Sequence, residues 1–250
     1  MTVPAGYVML RRGRMRAVVR ADLQGALGPW LLALPLAVPP GSAPIAGGRG
    51  GAWRLTLPGG LRAVLRRYRR GGVLARVVRE SYLGVVARPF RELAVIAEAR
   101  RRGVAAPEVL AARVEGRLAY RGAIVTAEVV GTVTLLEALR EAGDAARRRG
   151  LAAGAGRVVA TMHRAGVWHA DLNLTNLLAP ADDAGALTIV DFDRARLARG
   201  PLPPRARRGN LARLARSLRK LDPDGRLAAP EDIAAFHAAY ASVVETPCGS

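Results

Sequence analysis

The second half of the chain carries the sequence His-Arg-Ala-Gly-Val-Trp-His-Ala-Asp-Leu-Asn-Leu-Thr-Asn-Leu-Leu at 163–178, followed by Leu-Thr-Ile-Val-Asp-Phe-Asp at 187–193. Asp171 and Asn176 stand in a polar loop that follows a predicted helix. Asp191 ends a short apolar strand further along the chain. A loop Asp, a loop Asn and a strand-end Asp can converge on one side of a hairpin-like unit, so we expect these three side chains to lie together.

The three residue types suit metal-assisted chemistry on a phosphate. The oxygens of Asn176 and Asp191 are hard ligands of the kind that Mg²⁺ prefers, and Mg²⁺ keeps substrate phosphates in its coordination shell. Asp171 then remains to orient a hydroxyl group or to accept its proton. We expect His169 to brace this loop rather than to exchange protons, and His163 to be a packed helix residue.

The order and spacing of these residues resemble the protein-kinase pattern H-R-D-L-x-x-x-N followed by D-F-G. Here the pattern reads His169-Ala170-Asp171-Leu172 with Asn176, and then Asp191-Phe192-Asp193. The resemblance implies that Asp171 is the catalytic residue and that Asn176 and Asp191 bind Mg²⁺ with ATP. Two unrelated acidic loops in a helical protein are the alternative interpretation.

The first half of the chain offers matching features. The strand Ala63–Arg66 stands where a kinase has V-A-I-K, with arginine in place of lysine, and Glu92 lies early on the next helix as its acidic partner. A glycine-rich segment with Gly48, Gly50 and Gly51 precedes the first strand and could cover phosphates. Glu128 follows a predicted strand, where the adenine would dock. Each of these features alone also fits a surface residue or a flexible linker.

The patterning predicts an α+β protein with a bilobal, protein-kinase-like fold. We expect an N-terminal extension at 1–45, a small antiparallel β lobe with one main helix at 46–130, and a mostly α-helical lobe at 131–250. Strands are predicted near 53–57, 61–68, 107–112, 116–127 and 187–190. Helices are predicted at 88–102, 134–149, 150–165, 207–221 and 230–244.

The closest resemblance is to the lipopolysaccharide-core kinases, and in particular to the 3-deoxy-D-manno-octulosonic acid (Kdo) kinases of Gram-negative bacteria. It is carried by the segments 63–72, 89–92, 163–178 and 191–194, and it spans about residues 46–220. It implies ATP-dependent phosphorylation of the 4-hydroxyl of Kdo on lipid A precursor, with Mg²⁺, at the cytoplasmic face of the inner membrane. The sequence departs from the family pattern in two places, the residues Asn173-Leu174-Thr175 between Asp171 and Asn176 and the irregular glycine segment. Both bear on the identity of the acceptor sugar rather than on the phosphoryl chemistry.

Other functions stay open at this point. A related kinase for a heptose, an aminoglycoside or a Ser/Thr acceptor would share the motif. A non-catalytic, arginine-rich protein that binds RNA or anionic lipid is the alternative from another class, although we expect no nucleic acid partner. The intact Asp171, Asn176 and Asp191 favour catalysis.

The composition excludes several classes of protein and accounts for part of the net positive charge. The chain of 250 residues has 39 basic residues, all arginine except Lys220, and a net charge of +19. A single cysteine, Cys248, excludes an intrachain disulfide framework, and no P-loop or G-x-S-x-G motif is present. The apolar run 29–40 is too short to span a membrane. The near absence of lysine indicates an arginine-rich composition, and peripheral contact with an anionic membrane fits the remaining charge.

Overall fold

A computed structural model describes residues 2–45, 51–68, 87–116, 120–182 and 186–245. The chain divides into two compact units. Unit 1 comprises Met1–Ala97 and Glu108–Glu128, and unit 2 comprises Glu98–Pro107 and Val129–Ser250. The predicted segments Gly48, Gly50 and 69–72 lie outside the described residues.

Unit 1 is built on a seven-stranded antiparallel sheet with the order β1-β2-β6-β7-β5-β4-β3. Its strands are β1 (Tyr7–Arg12), β2 (Met15–Arg20), β3 (Ala43–Ile45), β4 (Ala52–Thr56), β5 (Arg62–Tyr68), β6 (Val109–Glu115) and β7 (Arg121–Ala127). Two helices accompany them, α1 (Gln24–Leu31) and α2 (Arg88–Arg101), the last turn of which falls in unit 2.

In strand β5 the alternation of residue types decides which side chains face the core of unit 1. Successive residues of a strand point to opposite faces. Ala63 and Leu65 are therefore buried in the core of unit 1, together with Leu55, Leu110 and Val125. Arg66 falls on the other face, where its side chain keeps 30% exposure. The alternation thus places Arg66 outside the core of unit 1.

The first 45 residues, expected as an extension, contribute β1, β2 and β3 to this sheet. β2 pairs with β6 in the register Met15↔Glu115 to Val19↔Ala111. Ala17 and Val19 are buried in the same core as Leu65. The sheet of unit 1 therefore depends on this segment.

Unit 2 is mainly helical. Its helices are α3 (Leu135–Glu141), α4 (Ala145–Arg164), α5 (Pro204–Leu221) and α6 (Pro230–Glu245). Its strands are β8 (Thr132–Thr134), β9 (Val167–Trp168), β10 (Leu177–Pro180), β11 (Thr188–Ile189) and β12 (Arg196–Leu197), which form the sheets β11-β10-β8 and β12-β9. The α+β class predicted from the sequence is confirmed.

The break between α3 and α4 differs from the prediction. The pattern indicated helices at 134–149 and 150–165, but the chain breaks at 142–144 and α4 continues through Gly150. Asp144 is the N-cap of α4, and its side chain accepts a hydrogen bond of 2.7 Å from Arg147 N. An aspartate that satisfies a free N–H of the first turn starts a helix there.

Glycine allows α4 and α6 to approach closely. A Cβ atom at Gly156 would lie 2.3 Å from Phe236 O and 3.1 Å from Tyr240 N. Every other residue type would force the two helix backbones apart. Gly156 therefore fixes the packing of the C-terminal helix on α4.

Candidate active site

The loop between β9 and β10 is organised by His169, which is buried. Its Nε2 lies 3.1 Å from Val190 O, and its Nδ1 lies 3.2 Å from Asp171 N. A carbonyl only accepts and an amide N–H only donates, so the ring carries its proton on Nε2. Burial lowers the pKa of His169, which keeps the ring neutral. The expectation that His169 braces the loop is confirmed.

A second support for the loop comes from Asn210 on α5. Its Nδ2 donates to His169 O at 2.7 Å, and its Oδ1 accepts from His169 N at 3.2 Å. Asn210 is fully buried, so these bonds satisfy both backbone groups of the histidine in a dry environment. The peptide of His169 is therefore held from α5 while its ring holds Asp171.

The network continues from Asn210 to α4 and α6. His163 Nε2 lies 3.3 Å from Asn210 Oδ1, and His163 Nδ1 lies 2.8 Å from Tyr240 Oη. Because Asn210 Oδ1 only accepts, the proton of His163 is on Nε2 and Tyr240 donates to Nδ1. Helix α6 is thereby linked by hydrogen bonds to the loop between β9 and β10, which we call the catalytic loop after its kinase-like motif.

The backbone of Asp171 is tied down, and its carboxylate is exposed. Its carbonyl accepts from Asn173 Nδ2 at 3.1 Å and from Asn176 Nδ2 at 2.8 Å. Asn173 Oδ1 in turn accepts from Thr175 N at 2.9 Å and from Asn176 N at 3.1 Å. These hydrogen bonds fix the loop backbone, and the Asp171 carboxylate is left at the surface, where it is accessible to a substrate.

The structure brings Asn176 and Asp191 together. β10 and β11 pair antiparallel with Leu177 opposite Ile189, and Val190 N donates to Asn176 O at 2.9 Å. The amide nitrogen of Asn176 is used by Asp171, so its Oδ1 is the atom available to a ligand. The pairing of β10 with β11 therefore brings two residues with oxygen ligands, Asn176 and Asp191, to neighbouring positions of the backbone.

Asp191 has a left-handed backbone, with φ of 61°. Aspartate tolerates this conformation better than most residues, yet it is a strained one. The next residue, Phe192, is 1% exposed, and its ring packs edge-on against His169 with centroids 5.5 Å apart. The buried ring anchors the turn, and Asp191 lies two residues after β11, next to Val190, which is bonded to Asn176.

Unit 1 holds the predicted pair of Arg66 and Glu92. Arg66 Nη2 donates to Glu92 Oε1, and Tyr68 Oη donates to the other carboxylate oxygen. The Arg66 guanidinium also lies over the Tyr68 ring, 5.0 Å from its centroid. Glu92 is buried and Arg66 is partly exposed, so the pair orients a cation that remains accessible to an anion.

Two further predicted residues have contacts of their own. Glu128 forms ion pairs with Arg54 and Arg62, and its N–H donates to Arg62 O at 3.0 Å. Gly51 has φ of 78°, and a Cβ atom there would lie 2.5 Å from the Trp53 ring. Neither contact shows a nucleotide role, so both assignments stay predictions.

Sequence reasoning gave no role to Asn210, Asn173 or Tyr68. A signal for Asn210 was present, because it shares one face of α5 with the apolar Leu214 and Leu221. A lone amide on an apolar helix face must find buried partners. Tyr68 is two positions after Arg66 on the same strand and so projects on the same side.

The burial of His163 predicts an acid-sensitive stability. Burial lowers the pKa of His163 to about 4, from an ordinary value of 6.5. Between these values the unfolded chain binds a proton that the folded chain does not, so acid favours unfolding. We expect the free energy of unfolding to fall by about 2–3 kcal/mol between about pH 6.5 and about pH 4.5, measured by urea denaturation.

The variant His163→Gln serves as the comparison and should show a flatter pH dependence. Glu98 does not contribute to the change in stability over this pH range, since hydrogen bonds from Arg101 and Arg102 lower its pKa to about 2. A carboxylate of this kind loses its contribution only below its ordinary pKa of 4.5. Stability of the natural chain that is constant across this range would contradict the burial of a neutral His163.

Each unit carries residues of the kinase-like motif, Asp171, Asn176 and Asp191 in unit 2 and the Arg66–Glu92 pair in unit 1, and the fold is of the protein-kinase-like class. The fold class is confirmed by a solved structure of WaaP in complex with acyl carrier protein. The match has a TM-score of 0.59 and 24% identity, and it covers 90% of this chain and 88% of that one.

The family follows from sequence comparison. The model of the lipopolysaccharide kinase (Kdo/WaaP) family matches residues 45–240, and the chain belongs to this family. It is similar to 3-deoxy-D-manno-octulosonic acid kinases of Xanthomonas campestris pv. campestris (44% identity, 70% of this chain and 68% of that protein) and Xanthomonas axonopodis pv. citri (41%, 78% and 77%). The kinase of the same name from Xylella fastidiosa is 38% identical, with coverages of 70% and 68%.

In the part of the chain that the structure describes, no group of three or more His, Cys, Asp or Glu side chains is placed to hold a metal ion. Among the described helices, none combines the length and the hydropathy that a membrane crossing requires.

Proposed function

We propose that the chain transfers a phosphoryl group from ATP to the 4-hydroxyl of Kdo on lipid A precursor. The observation that carries this proposal is the braced loop of unit 2, which presents Asp171 to solvent and bonds Asn176 to the segment that leads from β11 to Asp191. Membership in a family of lipopolysaccharide kinases supports the sugar acceptor. The names of the related proteins support Kdo in particular.

The donors at 176 and 191 fit Mg²⁺. An amide oxygen and a carboxylate are hard ligands, and a pair of them leaves coordination positions for ATP phosphates. When bound, Mg²⁺ neutralises charge on the phosphates. Asn176 stays oriented because its Nδ2 is bonded to Asp171 O, so its Oδ1 has one direction in which to bind.

Asp171 positions the acceptor in this proposal. The sugar oxygen attacks the γ-phosphorus, the bond from that phosphorus to the β-phosphate oxygen breaks, and ADP leaves. The carboxylate of Asp171 orients the hydroxyl and takes its proton. Positioning and charge neutralisation lower the barrier.

Unit 1 contributes the nucleotide contacts. Arg66 binds the α- and β-phosphates, held in place by Glu92 and Tyr68. A guanidinium fork suits phosphate oxygens and keeps its charge at every physiological pH. We assign the glycine-rich segment with Gly48, Gly50 and Gly51 to covering the phosphates and Glu128 to the region where adenine docks.

The acceptor explains part of the arginine-rich surface. Lipid A precursor carries phosphates and Kdo carries a carboxylate, and arginine binds both groups well. We therefore place the enzyme at the cytoplasmic face of the inner membrane, in peripheral contact with it.

A phosphorylation assay tests the function. The purified chain is incubated with labelled ATP, with and without Mg²⁺, and with Kdo-lipid A precursor, a heptose acceptor, an aminoglycoside or a protein acceptor. We expect Mg²⁺-dependent label on the Kdo 4-hydroxyl, located by NMR of the product. Label on one of the other acceptors, with none on Kdo, would contradict the proposal.

A further inference from the structure

Helix α5 exposes a row of positive charges that the proposed chemistry does not use. Its sequence has six arginines and Lys220 but no Asp or Glu. Five of these cations are exposed and recur at helical spacing on one face. We call them the α5 stripe: Arg205, Arg208, Arg216, Arg219 and Lys220. The residues between them on this face are small, namely Gly209, Ala212 and Ala215.

The opposite face of α5 belongs to the catalytic machinery. Asn210 and Leu214 are buried there, and Asn210 holds the His169 peptide. Ser217 Oγ accepts from Leu174 N at 3.3 Å, which is a second bond from the helix to the catalytic loop. One helix thus carries the loop on one side and the stripe on the other.

The stripe has no structural function that the described residues reveal. Among those residues, no ion pair involves any of its five cations. The arginines of α4 differ, since Arg147 donates to Ala181 O, Arg148 pairs with Asp232 and Arg164 donates to Val243 O.

The spacing of the stripe is itself unfavourable without a partner. Arg205 and Arg208 are three residues apart, and Arg216 and Lys220 are four apart. Like charges at these spacings repel each other along a helix. An external polyanion would offset this repulsion by its attraction to each cation, so the surface favours an anionic partner.

We propose that the α5 stripe docks on the anionic lipid surface of the membrane that holds the acceptor, an inference that rests on the proposed glycolipid substrate. The row from Arg205 to Lys220 is straight and about 22 Å long, which suits a flat sheet of lipid headgroups. The stripe has no aromatic side chain on which a nucleic acid base could stack. It has no large apolar residue for insertion, so it adsorbs by charge.

The arrangement also sets the distance of the catalytic loop from the membrane surface. The loop and the stripe are on opposite sides of one helix, which is about 10 Å in diameter. Docking of the stripe therefore holds Asp171 above the headgroups, where a sugar attached to a lipid projects from the bilayer. The α5 stripe would raise the activity towards membrane-embedded acceptor and leave the activity towards a soluble acceptor unchanged.

The test compares two variants of the full-length chain with equal changes in charge. The stripe variant is Arg205→Gln/Arg208→Gln/Arg216→Gln, in which glutamine preserves helix propensity. The control variant is Arg12→Gln/Arg14→Gln/Arg121→Gln, which removes three arginines around an open cavity of about 740 Å³ in unit 1. Vesicles of phosphatidylcholine alone, or mixed with phosphatidylglycerol, are used in a sedimentation assay at several salt concentrations.

We expect the natural chain to bind the mixed vesicles, more weakly as salt increases, and not the neutral ones. Each basic residue near an anionic surface contributes about 1 kcal/mol, so the stripe variant should bind about 100-fold more weakly. The control variant should bind within a few-fold of the natural chain. Equal binding by the stripe variant, a greater loss in the control, or stripe-dependent binding to RNA without vesicle binding would each overturn the proposal.

A kinase assay separates this inference from the proposed function. The stripe variant should phosphorylate a deacylated, water-soluble Kdo acceptor at the natural rate and vesicle-embedded Kdo-lipid A precursor much more slowly. If the natural chain binds vesicles through the stripe but phosphorylates neither acceptor, the proposed function fails and the docking surface stands. If both acceptors are phosphorylated equally by both proteins, the docking inference fails alone.

Discussion

Replacing Asp171 by asparagine lowers the rate of phosphoryl transfer by about two to four orders of magnitude, the range attributed to a positioned general base. The side chain keeps its shape but can no longer accept the hydroxyl proton. The fold should be unaffected, because the hydrogen bonds that the structure shows for Asp171 use its backbone N–H and carbonyl. The loss should therefore appear in kcat, with nucleotide binding retained.

Steady-state kinetics and a direct ATP-binding measurement check this result. Asp182→Asn is the matched control, because it makes the same chemical change at another exposed aspartate of unit 2. It should retain the natural kcat. An Asp171→Asn protein with full activity would exclude Asp171 as the residue that receives the acceptor hydroxyl. Loss of ATP binding in that variant would instead move Asp171 from the acceptor to the nucleotide.

Replacing Asn210 by leucine has the largest expected effect on stability. The substitution leaves the N–H and C=O of His169 buried without their partner and removes the acceptor of His163 Nε2. Unpaired buried groups cost about 1–3 kcal/mol each. We expect unit 2 to lose about 3–4 kcal/mol of stability, and kcat to fall because the catalytic loop loses its support from α5.

Urea denaturation and kcat measure the two effects, and Asn210→Asp separates them. Aspartate keeps the shape and an acceptor but loses the Nδ2 donor to His169 O, so it should recover part of the stability. Its carboxylate next to His163 would favour the protonated ring and raise the pKa of His163, which NMR titration detects. Gln24→Leu is the control, as the same type of change on an exposed helix position. An Asn210→Leu protein as stable and active as the natural chain would show that the network does not support the loop.

The organisation of the catalytic loop could be predicted from the sequence because the contacts that build it are local. His169 bonds to Asp171 two residues away, and Asn176 bonds back to the same residue within one loop. Asn176 and Asp191 are brought to neighbouring backbone positions by the pairing of β10 with β11 alone. A motif with fixed spacing encodes such geometry directly.

Long-range partners were not predictable in the same way. β2 finds β6 almost a hundred residues further on, so nothing in 15–20 reveals that this segment completes the sheet of unit 1. Asn210 is separated from His169 by 41 positions, and its role depends on how α5 packs. Local patterns establish that helices and strands exist, whereas pairing between distant segments depends on tertiary packing.

The left-handed backbone at Asp191 has a consequence for how mutational scans of this enzyme are interpreted. Alanine placed at φ of 61° adds about 1–2 kcal/mol of conformational strain to the loss of the carboxylate. At this position an alanine scan would therefore merge a folding defect with the loss of the proposed metal ligand. Asparagine, which tolerates the same backbone and differs from aspartate in one atom, isolates the chemistry. Glycine removes the carboxylate without that strain, so the difference between the alanine and glycine variants measures the backbone contribution.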